Sequence, residues 1–142
     1  MSGGDLQRLL PVATARYEAE FAAVRGLLAA EAQCRAQLAK LDDLAQSGRD
    51  QAMRLGPMQV LGADVLFQKS LADNRARLNG ELAQILARKA TAMDKVRLAF
   101  GRKQAIETSL NRQDAENRRK SNLRRHNAAM APWLIRPRPR AE

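Results

Sequence analysis

One cysteine and one histidine are all that this 142-residue chain offers toward nucleophilic or metal chemistry, and they stand far apart at Cys34 and His126. Cys34 falls on an apolar stripe, where a thiol ordinarily serves as a small packing residue rather than a nucleophile. His126 lies in a basic stretch without the Cys/His spacing of a metal site. A phosphate-binding loop and a G-x-S-x-G elbow are both missing. The expectation is a protein that is not an enzyme and needs neither cofactor nor metal. Two other clusters could act by contact. The first is Arg118-Arg119-Lys120 with Arg124, Arg125 and the earlier Arg112, within a C-terminal third (101–142) that holds eleven basic and four acidic residues. Such a cluster docks an acidic or phosphate-rich surface; its plainer reading is a solvated helix end whose cations suit the C-terminal dipole. The second is Val65-Leu66-Phe67 with Leu71. An aromatic and a leucine at i, i+4 make a small contact patch if exposed and hairpin core if buried.

These clusters need elements to hold them. Residues 63–130 contain no proline before Pro132, and Gly80 and Gly101 are isolated among strong helix formers, so the stretch reads as one long helix. Leu71, Leu78, Leu82, Ile85, Met93, Val96, Phe100, Ile106 and Leu110 form its stripe, mostly in steps of three, four or seven. Steps of eight after Ile85 and six after Phe100 predict a slipping phase. A second stripe, Leu10, Ala13, Tyr17, Val24, Leu27, Cys34, Leu38, Leu41 and Ala45, supplies the partner. The fold class expected is all-α: two long helices in an antiparallel coiled-coil hairpin, the second longer than the first. The boundaries expected are a helix at about 12–47, a turn at 48–62 and a helix at about 63–128, making a stalk over 1–130. A flexible Pro/Arg-rich tail follows over 131–142. Asp5 reads as a possible cap of a short first turn, Pro11 as the opening or a kink of the main helix, and Gly48 as a helix end. The first helix should run out opposite roughly residues 100 to 105, leaving 105–130 to project alone.

Composition narrows the class. Aromatic content of 4% argues against an ordinary globular core, and a formal charge of +10 with a pI near 11.0 draws the chain to acidic surfaces. No leader of signal-peptide pattern and no apolar run of about 20 residues occurs, so a cytoplasmic protein without membrane insertion is expected, monomeric in isolation.

The run Ala63-Asp-Val-Leu-Phe-Gln-Lys-Ser-Leu71 followed by Arg77-Leu78-Asn79 resembles the flagellar export protein FliJ and its injectisome counterpart YscO. So do Leu98-Ala-Phe-Gly-Arg-Lys-Gln-Ala-Ile-Glu107 and Asn111-Arg-Gln-Asp-Ala-Glu116. The resemblance covers most of residues 5–130, and Pro11 and the Pro/Arg tail depart from it. It implies a central stalk, peripheral at the base of a type III secretion apparatus. The open end of the hairpin would enter the pore of the hexameric export ATPase through Arg112, Arg118, Arg119, Lys120, Arg124 and Arg125. The turn region would meet the cytoplasmic part of the export gate through Phe67 and Leu71. Export chaperones are further candidate partners. The competing readings are a basic coiled coil that binds nucleic acid and a helical secretion chaperone. Nucleic acid is not the expected partner, because no aromatic residues interleave the basic ones.

Overall fold

The first helix starts on a reciprocal hydrogen-bonded cap. In the computed structural model, which describes residues 2–55 and 63–134, the Asp5 amide donates to Ser2 Oγ at 3.4 Å. The Asp5 carboxylate in turn accepts from the Ser2 amide at 3.3 Å and the Ser2 hydroxyl at 2.8 Å. Two orphan donors are satisfied at once, so Ser2 is the N-cap and Asp5 is the third helical residue rather than the cap. Helix α1 therefore spans Gly3–Leu55 and helix α2 Ala63–Leu134.

These bounds extend the expected ones. α1 begins well before residue 12 and passes through Pro11, whose ring is exposed on the outer face, where the helix forgoes one bond to the Gln7 carbonyl. It also continues past Ser47-Gly48 to Leu55. Gly48 does not end the helix because it occupies an inward position: a Cβ built there would lie 2.8 Å from Phe67 Cε1, so the ring uses the space a side chain would fill. α2 runs through Pro132, which sits in the final turn and removes only one bond to Ala128 before the helix stops. The turn at Gly56-Pro57 and the tail from Ile135 lie outside the described residues.

Two compact units result: one joins the N-terminal residues through Arg16 to those from Ala99 onward, and the other is Tyr17–Leu98. Within Tyr17–Leu98 the helices run antiparallel. Going up α1, Glu31 meets Lys89, Cys34 meets Leu78, Asp42 meets Arg75 and Gly48 meets Phe67. Val24, Cys34, Leu78 and Val96 are buried there. The Cys34 thiol donates to the Leu78 carbonyl at 3.3 Å, as suits a packing residue with a weak donor. In the other unit Leu6 and Ala99 are buried, and Gly3 lies against Gln113.

The seam is more regular than the apolar pattern predicts. Among the buried and half-buried positions of α2, Leu82, Ile85, Lys89, Ala92, Val96, Ala99, Lys103, Ile106, Leu110 and Gln113 alternate steps of three and four without a slip, with Met93 and Glu107 half-buried beside them. Lysine and alanine hold positions that a count of large apolar residues leaves blank. Phe100 is correspondingly off the seam and 46% exposed, while Ala99 takes the inward place at 5%. One irregularity stands earlier in α2, where Asn74, Leu78 and Leu82 follow each other by two steps of four, a stutter that locally unwinds a supercoil.

Gly48 gives a direct check of this packing. Gly26 and Gly80 have open space where a side-chain carbon would stand, so Gly26→Ala and Gly80→Ala should each raise stability by about 0.5–1 kcal/mol. Gly48→Ala should lose that gain to collision with Phe67 and recover it in a Phe67→Ala background. Thermal melts of the single and double variants decide; equal stabilisation by Gly48→Ala and Gly26→Ala in the parent chain would disprove the ring contact.

Register is also held by charge. Glu31, only 13% exposed at its side chain, accepts from Lys89 Nζ at 2.6 Å across the seam and from Arg35 at 3.0 and 3.1 Å along α1. The Lys89 hydrogen bond, then that of Arg35, holds its carboxyl below the ordinary value of 4.5, against the opposing effect of desolvation. A depressed carboxyl stabilises the fold above its unfolded pKa, and that contribution is lost as pH falls through the folded value. Glu31→Gln should thus lower the melting temperature at pH 7, and the difference from the parent should close on acidification well below pH 4.5. A pH-independent difference would assign the loss to packing. The exposed pair of Arg75 with Asp42 contributes at most about 1 kcal/mol.

Candidate functional site: the cationic end of the second helix

α1 has its first helical residue, Gly3, against Gln113, so the pairing extends past the boundary near residues 100 to 105 expected from a helix starting at 12. Ile106, Glu107, Leu110 and Gln113 are half-buried, and exposure becomes continuous only from Asp114 through Trp133. The lone segment therefore begins at Asp114 instead of 105. Arg112 stands on the last paired turn, while Arg118, Arg119, Lys120, Arg124 and Arg125 lie on the unpaired part. All six are exposed.

At about 3.6 residues per turn the six do not share a face. Arg112 and Arg119, seven apart, lie above one another; Arg118 and Arg125 form a second such pair; Lys120 and Arg124, four apart, form a third that continues the line of the seam. The three pairs surround the helix. From Asn117 to Leu134 the sequence contains no carboxylate. Asp114 and Glu116, four residues before Arg118 and Lys120, are the last carboxylates before that run; in the paired region Arg77 meets Glu81 and Arg97 meets Asp94. A cationic collar of this kind can bind an acidic surface approaching from any side. Among the described residues no three His, Cys, Asp or Glu side chains come together to hold a metal. No described helix is long and apolar enough to cross a membrane.

At the other end, the structure brings Phe67 and Leu71 together one turn apart. Both are partly covered: Phe67 is 38% exposed over Gly48, and Leu71 is half-buried beside Ala45 and Arg49 in a cleft of about 440 Å³. The more exposed apolar residues at this end are Val65 and Leu66 on α2 and Met53 and Leu55 on α1. Met53 and Leu55 escape an expectation that ends the helix at 47. A continuous helical pattern across Gly48 is the signal that could have found them.

No protein-family model, curated protein or solved structure matches the chain.

Proposed function

We propose that this chain is a non-enzymatic stalk of a type III export apparatus, docking with its cationic end in the pore of the hexameric export ATPase and with its turn end on the cytoplasmic part of the export gate. The observation that carries the proposal is the set of exposed cations from Arg118 to Arg125, in a stretch without carboxylates from Asn117 to Leu134, on the part of α2 that α1 does not cover. The resemblance of residues 63–79, 98–107 and 111–116 to the FliJ and YscO family supplies the partner. At the turn, Phe67 and Leu71 would contribute the part of their surface that α1 leaves open, with Val65 and Leu66 beside them. The protein would work in the cytoplasm as a monomer, with export chaperones as further partners.

The same collar suits nucleic acid, whose phosphates attract any exposed cationic helix. One experiment separates the two. Binding of the intact chain to the hexameric ATPase and to random duplex DNA is measured over a salt series, with ATP turnover recorded alongside. The expected result is tight ATPase binding with stimulated turnover and only weak, steeply salt-dependent DNA binding. Tight DNA binding without stimulation would replace the stalk with a nucleic-acid protein.

A further inference from the structure

The part of α2 beyond Gln113 carries three large apolar residues that a purely electrostatic collar does not employ. Leu123 is 60%, Met130 51% and Trp133 69% exposed, and the cover of α1 ends before all three. With His126 they follow one another in steps of three, four and three, so the four share one stripe of the helix. An imidazole suits such a stripe, having an apolar body and a polar tip. Arg119 and Lys120, four and three residues before Leu123, continue the stripe as cations, while Arg124 and Arg125 stand beside and behind it. In sequence, residues 117–141 hold eight basic residues and no acidic one. The charge is local: the unit formed by Met1–Arg16 and Ala99–Glu142 has thirteen basic and five acidic residues, and so carries +8 of the total +10.

We infer that the Leu123, Met130 and Trp133 stripe settles on a bilayer surface of anionic phospholipid, lying among the headgroups. A helix with a short apolar stripe and a dense basic surround is the kind that rests in the interfacial plane, and no described helix is long and apolar enough to cross. Tryptophan prefers headgroup depth, because its ring is apolar and its N–H still finds a polar partner there. Arginine and lysine stems lie along the acyl boundary while their charges turn outward to phosphate. Each cation brought close to such a surface raises partitioning by about fivefold, an effect confined to within a Debye length. Duplex nucleic acid answers the charge equally well but offers no apolar phase to Leu123 and Met130. A second copy is the poorer occupant, since it would set eight cations against eight. The inference shares the collar's cations with the stalk reading but does not rest on it.

Trp133 is the one tryptophan of the chain, so its emission reports the contact directly. The intact chain is titrated with vesicles of phosphatidylcholine, with and without phosphatidylserine, at low and physiological salt, and bound protein is measured by sedimenting the vesicles. Emission should shift to the blue, and be quenched by brominated acyl chains, with the anionic vesicles only. Leu123→Gln/Met130→Gln keeps every cation and places a strong helix former at both positions; it should lower partitioning by about tenfold or more. Arg124→Gln/Arg125→Gln, which removes two charges, should lower it by a similar factor. Circular dichroism checks the helix; should the apolar double variant lose it, Trp133→Gln is sedimented in its place and should bind less than the parent. Unchanged emission on anionic vesicles overturns the inference. So does equal sedimentation of parent and Leu123→Gln/Met130→Gln, which would leave charge as the whole attraction, or a Trp133 response to a DNA oligonucleotide with none to vesicles. The assay contains no ATPase, so failure of the stalk reading leaves its outcome unchanged.

Discussion

If the proposed stalk function holds, reversing Arg118, Arg119, Arg124 and Arg125 to Glu removes stimulation of the export ATPase and leaves the hairpin folded. Four reversals of two charge units each lower the formal charge from +10 to +2, and all four fall on the segment beyond Gln113 that α1 does not cover. Exposed surface substitutions of this kind usually shift stability by no more than about 0.5 kcal/mol each, so the melting temperature should stay close to that of the parent. Binding is different. Each exposed ion pair is worth up to about 1 kcal/mol, and reversal exchanges attraction for repulsion, so affinity should fall by at least about tenfold. The electrostatic origin is checked by salt. Turnover stimulated by the parent should decline from low to physiological ionic strength, where exposed charges are screened beyond about 8 Å, whereas the variant should be inactive at both. Equal stimulation by the two proteins, with DNA affinity lost instead, would transfer the collar to nucleic acid.

The largest effect on folding is expected from Leu78→Ala. Leu78 is 3% exposed, and its carbonyl receives the Cys34 thiol where α2 takes two consecutive steps of four. Truncating a buried leucine costs about 2–5 kcal/mol, the higher figures where the surroundings cannot close over the cavity. Few other residues are buried: Leu6, Val24, Cys34, Val96 and Ala99 complete the set among the described residues. Against a total stability of about 5–15 kcal/mol, one such loss is a large share, and chemical denaturation should show an early midpoint or no folded baseline. Leu44→Ala, at a residue 51% exposed, is the control and should cost under about 1 kcal/mol. Comparable losses at the two positions would mean that the seam does not carry the fold.

The hairpin was legible because leucine and alanine recur at helical spacing, and because no proline interrupts residues 63–130. Its ends were not, for reasons that lie in single residues. Ser2 and Asp5 satisfy each other's amides, which lets α1 begin before Pro11; Gly48 stays helical because Phe67 occupies the room beside it. The apparent slips near Ile85 and Phe100 arise from treating only large apolar side chains as inward. Lys89 and Lys103 bury their stems on the seam and direct their amines to its edge, where Lys89 reaches Glu31 and Lys103 lies 3.7 Å from Glu107. The six collar residues were visible as a charge cluster, but their distribution around the helix follows only once the helix is continuous.

From Asp114 to Met130 the second helix has no cover from α1 and is continuous with the paired turns before it. Ser121, Asn122 and Asn127 are weak helix formers, so the balance between helix and coil in this segment is close, and its amides should exchange with solvent much faster than those near Leu78. A partner that closes around the segment therefore orders whatever fraction has frayed, at about 1–2 kcal/mol of backbone entropy per residue fixed. Association would be driven by enthalpy and opposed by entropy. Substitutions that raise helicity, such as Ser121→Ala or Asn122→Ala, would then tighten the complex by lowering the cost of ordering the segment.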